Sequence, residues 1–287
     1  MATMTEIAAC YLGGVSDKTA SVYRPAVMSW LTWCRDNSLD PLVVKRVHFE
    51  LWGKWMDEVE GMAASTRRQR MGVVKSMYAL AFADGDIARN PAANVRLPKI
   101  SKGSSGAWLE KGQLRSFLDA SARKKPQIAC LAHILGLHGW RIGSVLGLRV
   151  EDVRIKCGRL MADIDLKGHD SKTSFAMADA VRPFAERCIG GRTRGPLLIG
   201  AKGKAMAYPE AKRVIADLGR EIGADGLAPH DLRRSFVTLA RDAGIPDRDI
   251  MASTGHASLA MLDYYDRKRD SAERDAGDQL SAWITQD

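Results

Sequence analysis

The sequence predicts a mainly α protein: an N-terminal helical bundle followed by a second, mixed α domain carrying a small three-stranded antiparallel sheet. Three observations predict it. Apolar residues recur three and four apart through the first hundred residues, with no alternating run among them. A stretch rich in Pro, Gly, Ser and Lys then breaks the pattern at residues 97–106. Beyond it, three short β-rich segments lie between residues 153 and 177 before the helical period resumes.

The elements follow in order. From Ser16, Val22, Tyr23, Ala26, Val27, Trp30, Trp33 and Cys34 form one helical stripe that Asn37 and Pro41 close. A second helix is predicted from about His48 to Val59, through Phe49, Leu51, Trp52, Trp55 and Met56, and a third from Ser65 to about Ala83. The tryptophans fall on the buried period and are predicted to be core rather than stacking platforms. Residues 1–97 are assigned to the first domain, 98–107 to a linker and 108–287 to the second domain. In the second domain Leu114, Phe117 and Leu118 begin a helix, and Ile128 to Leu137 form another that ends near Gly139. Strands are predicted at Val153 to Cys157, Leu160 to Leu166 and Thr173 to Met177. Helices follow at Tyr208 to Ile222, Leu232 to Ala243, Asp247 to Ser253 and Leu259 to Arg267, with a last one ending in Leu280, Trp283 and Ile284.

The 287 residues suit two modest domains, and the 46% hydrophobic and 27% charged fractions are those of a globular protein. A net charge of +9 attracts polyanions, nucleic acid first. No run approaches the roughly 20 apolar residues of a spanning helix, and residues 1–13 lack the features of a secretory leader, which points to a cytoplasmic protein with no membrane partner. Cys10, Cys34, Cys130, Cys157 and Cys188 are odd in number and widely spaced, so they are expected to be reduced and mostly buried. No nucleotide-binding glycine motif and no carboxylate cluster is evident, so neither cofactor nor metal is expected.

Three segments place basic residues beside apolar helix faces: residues 139–149 around Arg141, residues 229–235 with His230 and Arg233, and residues 254–265 with His256, Tyr264 and Tyr265. In order and spacing they resemble the tyrosine recombinases, the phage integrase family. That family's signature is an arginine in a G-x-R-I context, then H-x-L-R, then G-H or G-W, and a tyrosine nine residues after it. The matching residues are Arg141, His230 with Arg233, His256 and Tyr265. The resemblance extends over the whole chain, since that family joins a helical DNA-clamping domain of SAM-like type to a catalytic domain with a small sheet.

The resemblance implies a site-specific recombinase that cuts and rejoins double-stranded DNA through a 3′-phosphotyrosyl link to Tyr265. Arg141 and Arg233 would stabilise charge on the scissile phosphate, as planar forks of donors suit phosphate oxygens. His256 would add a hydrogen bond and His230 would take the tyrosine proton. A lysine in the turn between two strands protonates the leaving 5′ oxygen in the family; Lys172 is the first choice and Lys167 the alternative. Arg67, Arg68, Arg70 and Lys75 on the third helix, Lys102 in the linker and Arg234 are expected to contact DNA. The C-terminal tail resembles the segment exchanged among four protomers. Two other readings stay open: a type IB topoisomerase, and a DNA-binding protein that has lost catalysis. His133 and His138 are read as satisfied polar residues rather than catalysts. One departure stands out: the family has an acid three positions after its first arginine, and this chain has Ser144. Either Glu151 or Asp152 holds Arg141 instead, or Arg141 is held less firmly.

Overall fold

The computed structural model describes residues 2–100, 108–166, 171–255, 259 and 262. The chain separates into two compact units, residues 1–102 and 103–287.

Unit 1 contains α1 (Met4–Gly13), α2 (Asp17–Asp36), α3 (Arg46–Glu58) and α4 (Ala64–Ala83). The first was not anticipated. Thr3 caps it, its hydroxyl accepting from the Glu6 amide while the Glu6 carboxylate accepts from the Thr3 amide. Met4, Ile7, Ala8, Tyr11 and Leu12 give it a buried face. The core is aromatic: Trp30 stacks on Phe49 at 4.4 Å, and its Nε1 donates to the Tyr78 hydroxyl at 3.0 Å, which in turn donates to the Pro41 carbonyl at 2.7 Å. The polar tips of Trp30 and Tyr78 therefore have partners, the condition for burying Trp and Tyr at low cost, whereas the buried Nε1 of Trp52, which packs edge-on against Trp30, has none. Val22 and Leu51, expected in the buried stripes, are instead about half exposed (55% and 49%), because they sit at the margins of their helical faces.

Unit 2 runs α5 (Lys111–Ala122), α6 (Pro126–His138), α7 (Ile142–Gly147), β1 (Val153–Lys156), β2 (Arg159–Ile164), β3 (Thr173–Ala176), α8 (Arg182–Ile189), α9 (Tyr208–Glu221), α10 (Pro229–Asp242) and α11 (Asp247–Thr254). The strands pair antiparallel in the order β1-β2-β3, with Val153 opposite Ala162 and Ile164 opposite Thr173. Leu160, Ala162 and Ile164 of β2 point into the core, as the period of two requires. The β1–β2 turn is Cys157-Gly158, both with positive φ (51° and 78°), the geometry of a tight two-residue hairpin. That left-handed residue is why β1 stops at Lys156, one residue short of the prediction.

Helix α6 is apolar almost all round and lies at the centre of unit 2, in contact with α5, α8 and α10. It ends at Gly139, whose φ of 57° makes the left-handed cap that β-carbon-bearing residues adopt only at a cost. The next residues, Trp140 and Arg141, thereby turn back over the C-terminal end of α11. Helix α8 was not anticipated; it has eight residues, and its only fully buried side chains are Ala185 and Cys188. The helix expected from Leu259 and the tail beyond lie outside the described residues, apart from Leu259 and Leu262, both helical.

Among the described residues no helix is long and apolar enough to cross a membrane. All five cysteines are free; Cys34, Cys130 and Cys188 are buried, whereas Cys10 and Cys157 are exposed.

Candidate active site

The site is organised around the last carbonyls of α11. A helix leaves its final carbonyls without intrahelical partners, and its dipole makes that end attractive to cations. Here three consecutive carbonyls are taken up by three side chains. Trp140 Nε1 donates to Ser253 O at 2.8 Å, Arg233 Nη1 to Thr254 O at 3.0 Å, and Arg141 Nη1 to Gly255 O at 3.4 Å. Arg233 Nη1 also donates to Gly139 O at 2.8 Å, two residues before Arg141. The loop after α6, the middle of α10 and the end of α11 thus meet at one place.

Arg233 gets there because α10 starts with Pro229 at its first turn and Asp231 accepting from the Ala228 amide at 2.9 Å, a start that sets the helix phase. Leu232 and Val237 then face the core, and Arg233 follows them inward to 2% exposure. A guanidinium so buried is tolerable because its donors meet carbonyl oxygens. Gly255 has φ of 65°, and a β-carbon there would come within 3.0 Å of the Leu166 side chain. The residue closing α11 is therefore glycine on two grounds, backbone and space.

His230 keeps an exposed position at the start of α10. Partial removal from water, and then the positive charges of Arg233, Arg234 and Arg141, lower its pKa below the ordinary 6.5, against an opposing pull from Asp231. A neutral imidazole beside guanidiniums is able to accept a proton at neutral pH.

Lys172 stands at the entrance to β3, and its Nζ is 2.6 Å from Asp152 Oδ1. Asp152 Oδ2 accepts from the Arg149 amide at 3.0 Å. Glu151 binds Arg149 Nε at 2.7 Å and the Gly195 amide at 3.0 Å. Both carboxylates are thus engaged by groups other than Arg141, which among the described residues donates to the Gly255 carbonyl instead. Ser144 itself donates to Asp165 O at 2.8 Å.

His133 and His138 are satisfied in the core. His133 Nδ1 lies 2.8 Å from Ala129 O and its ring stacks on Phe184 at 3.6 Å. His138 Nε2 accepts from the Ala178 amide at 3.1 Å, and burial pushes its pKa down to about 4. His138 stacks on Trp140, which packs against Phe175 of β3.

In unit 1 the cations of α4 are all engaged within the chain. Arg67 pairs with Asp57 at 2.6 Å, Arg68 donates to Pro98 O at 3.0 Å, Arg70 to Ser29 Oγ at 3.3 Å, and Lys75 to the Ala93 and Val95 carbonyls at 2.7 and 3.0 Å. Arg234 is 4% exposed, 3.9 Å from Asp231. His256, Tyr264, Tyr265, Lys167 and Lys102 lie outside the described residues.

Residues 107–272, more than half of the chain, match the phage integrase family. This chain belongs to that family. As a phage integrase family member it is similar to the tyrosine recombinase XerC of Mycobacterium sp. (strain KMS), 26% identical over 269 residues that cover 88% of each chain. Its fold is shared with the Tn1549 transposon integrase in complex with circular intermediate DNA, at 19% identity and a TM-score of 0.71, covering 92% of this chain and 95% of that one. The lambda integrase tetramer bound to a Holliday junction gives the same TM-score at 17% identity, covering 94% and 79%. Among the described residues this shared fold is mainly helical with one small three-stranded antiparallel sheet, as the sequence predicts.

Trp140 and the carbonyls of residues 253–255 escaped the sequence reading. Backbone acceptors leave no trace in residue identity, apart from Gly255 as a helix stop.

Proposed function

We propose that this chain is a site-specific recombinase that cleaves and rejoins DNA strands through Tyr265. The observation that carries the reading is the pair of guanidiniums, Arg141 and Arg233, donating to the adjacent carbonyls of Gly255 and Thr254. The carbonyls orient both cations before any DNA arrives. Preorganised donors of this kind lower a barrier where charge develops on phosphate oxygens.

In the proposed step the Tyr265 hydroxyl oxygen attacks the scissile phosphorus and the bond to the 5′ oxygen breaks. The phenolic proton passes to His230, which partial desolvation and then its cationic neighbours keep neutral and able to accept it. The departing 5′ oxygen takes a proton from the β2–β3 hairpin lysine, Lys172 or Lys167. Arg141, Arg233 and His256 neutralise the phosphate oxygens. Because the phosphotyrosyl bond conserves the energy of the bond it replaces, a 5′ hydroxyl from another strand reverses the step, with no need of ATP or a metal ion.

Unit 1 would hold the duplex through Arg67, Arg68, Arg70, Lys75 and Lys102, whose intrachain contacts are with carbonyls, a hydroxyl or an exposed carboxylate where described. Arg234 would act through its charge, being buried. Four protomers would assemble on two sites, as the lambda integrase tetramer does on a Holliday junction, with the segment after Tyr265 linking them.

Strand exchange is the test. Two duplexes carrying a site selected from a degenerate library, incubated with the chain in chelator and without nucleotide, should yield recombinant DNA. Relaxation of a supercoiled plasmid with no exchange between partners would favour a topoisomerase instead.

A further inference from the structure

The two legs of the β2–β3 hairpin are both tied to the stretch that follows Arg141. On the outgoing leg, Asp165 O accepts from Ser144 Oγ at 2.8 Å, three residues past Arg141. On the returning leg, Lys172 Nζ meets Asp152 Oδ1 at 2.6 Å, in the turn between α7 and β1. Asp152 is itself fixed, 11% exposed at its side chain and held by the Arg149 amide. Leu166, next along the outgoing leg, lies against Gly255, whose carbonyl takes Arg141.

We infer that Ser144 and Asp152 are positioning residues for strand cleavage: by pinning both legs of the hairpin to the Arg141 segment, they set the distance between the hairpin lysine and the phosphate. The inference rests on the cleavage reading above, in which that lysine protonates the leaving oxygen.

The ladder of β2 and β3 ends at Ile164 opposite Thr173, so Asp165 and Lys172 lie just beyond the paired residues, where the two ties take over from ladder hydrogen bonds. Displacement of a proton donor by about 1 Å is enough to cost on the order of a hundredfold in rate. The inference also accounts for serine where the family carries an acid. The tie to Asp165 requires a donor, and an ionised carboxylate only accepts.

The test compares Ser144→Ala and Asp152→Asn with the unaltered chain on two nicked substrates. One carries the ordinary phosphodiester; the other carries sulfur in place of the bridging 5′ oxygen, a leaving group that departs without a proton. Asn at 152 retains an oxygen for the Arg149 amide, and thermal unfolding of each variant checks that the fold is kept. The expected result is a loss of about 10- to 100-fold in adduct formation on the oxygen substrate. On the sulfur substrate both variants should recover to near the unaltered rate, and Ser144→Thr, which keeps the hydroxyl, should restore cleavage of the oxygen substrate. An equal loss on both substrates, or no loss on either, overturns the inference. If the unaltered chain forms no adduct with either substrate, the cleavage reading itself fails.

Discussion

Arg233 donates through Nη1 to Thr254 O at 3.0 Å and, with the same nitrogen, to Gly139 O at 2.8 Å. One buried cation thereby joins the helix stop before Arg141 to the helix stop before His256. Replacing it with Lys keeps the charge but not the planar fork. Hydrogen bonds from charged groups contribute about 1.5–3 kcal/mol each. Arg233→Lys should therefore lower the thermal midpoint of unit 2 by several degrees and abolish cleavage. Calorimetry of the full chain reads the first effect; an unchanged midpoint would mean that the two carbonyl contacts contribute little.

Gly139 and Gly255 both occupy left-handed backbone, yet they should respond differently to alanine. The backbone cost is about 1–2 kcal/mol at each. At Gly139 the new carbon would also meet Phe236 Cβ and ring carbons at 2.8–3.0 Å, atoms near the α10 backbone. At Gly255 it meets the movable end of Leu166 at 3.0 Å. Overpacking adds about 1–3 kcal/mol where neighbours cannot yield. Denaturant unfolding should show Gly139→Ala to be the more destabilised; the reverse order would place the rigid neighbour at the wrong glycine.

His138 links stability to pH. Burial holds its pKa at about 4, below the ordinary 6.5, so between these values the unfolded chain binds the proton and the folded chain does not. Stability is complete above about pH 6.5 and falls as the pH drops toward 4, by about 1.4 kcal/mol per unit and roughly 3 kcal/mol in all. His133, also lowered by burial, adds in the same direction. In His138→Gln, whose side-chain oxygen can still accept from Ala178, the slope over this range should shrink. An identical slope would assign the pH dependence to other groups.

His230 should govern the acid limb of cleavage. Partial desolvation and the charges of Arg233, Arg234 and Arg141 keep it neutral to a pH below 6.5. Single-turnover cleavage should hold its rate down to that range and then fall, and His230→Asn should be slow with the limb removed. A limb that persists in the variant would assign the proton acceptor elsewhere.

The helices and the small sheet were legible in the sequence because apolar period and turn residues are local signals. Helix α1 was not anticipated although Thr3 and Glu6 form a capping box at the head of the stripe Met4, Ile7, Ala8, Tyr11 and Leu12, both local signals; α8 carries little pattern, with eight residues and two buried side chains. The three motif segments named Arg141, His230 and Arg233 but not what orients them. Ser144 looked like a loss; in the fold it is a donor to a strand carbonyl, which a pattern of acidic residues could not foretell.

The most direct measurement is identification of the residue that becomes bonded to DNA. A nicked-duplex library that traps the cleaved state, followed by proteolysis and mass spectrometry, should give a DNA adduct on Tyr265 and none in the Tyr265→Phe variant, with DNA affinity retained. An adduct on Tyr264, or no adduct while binding persists, would contradict the account.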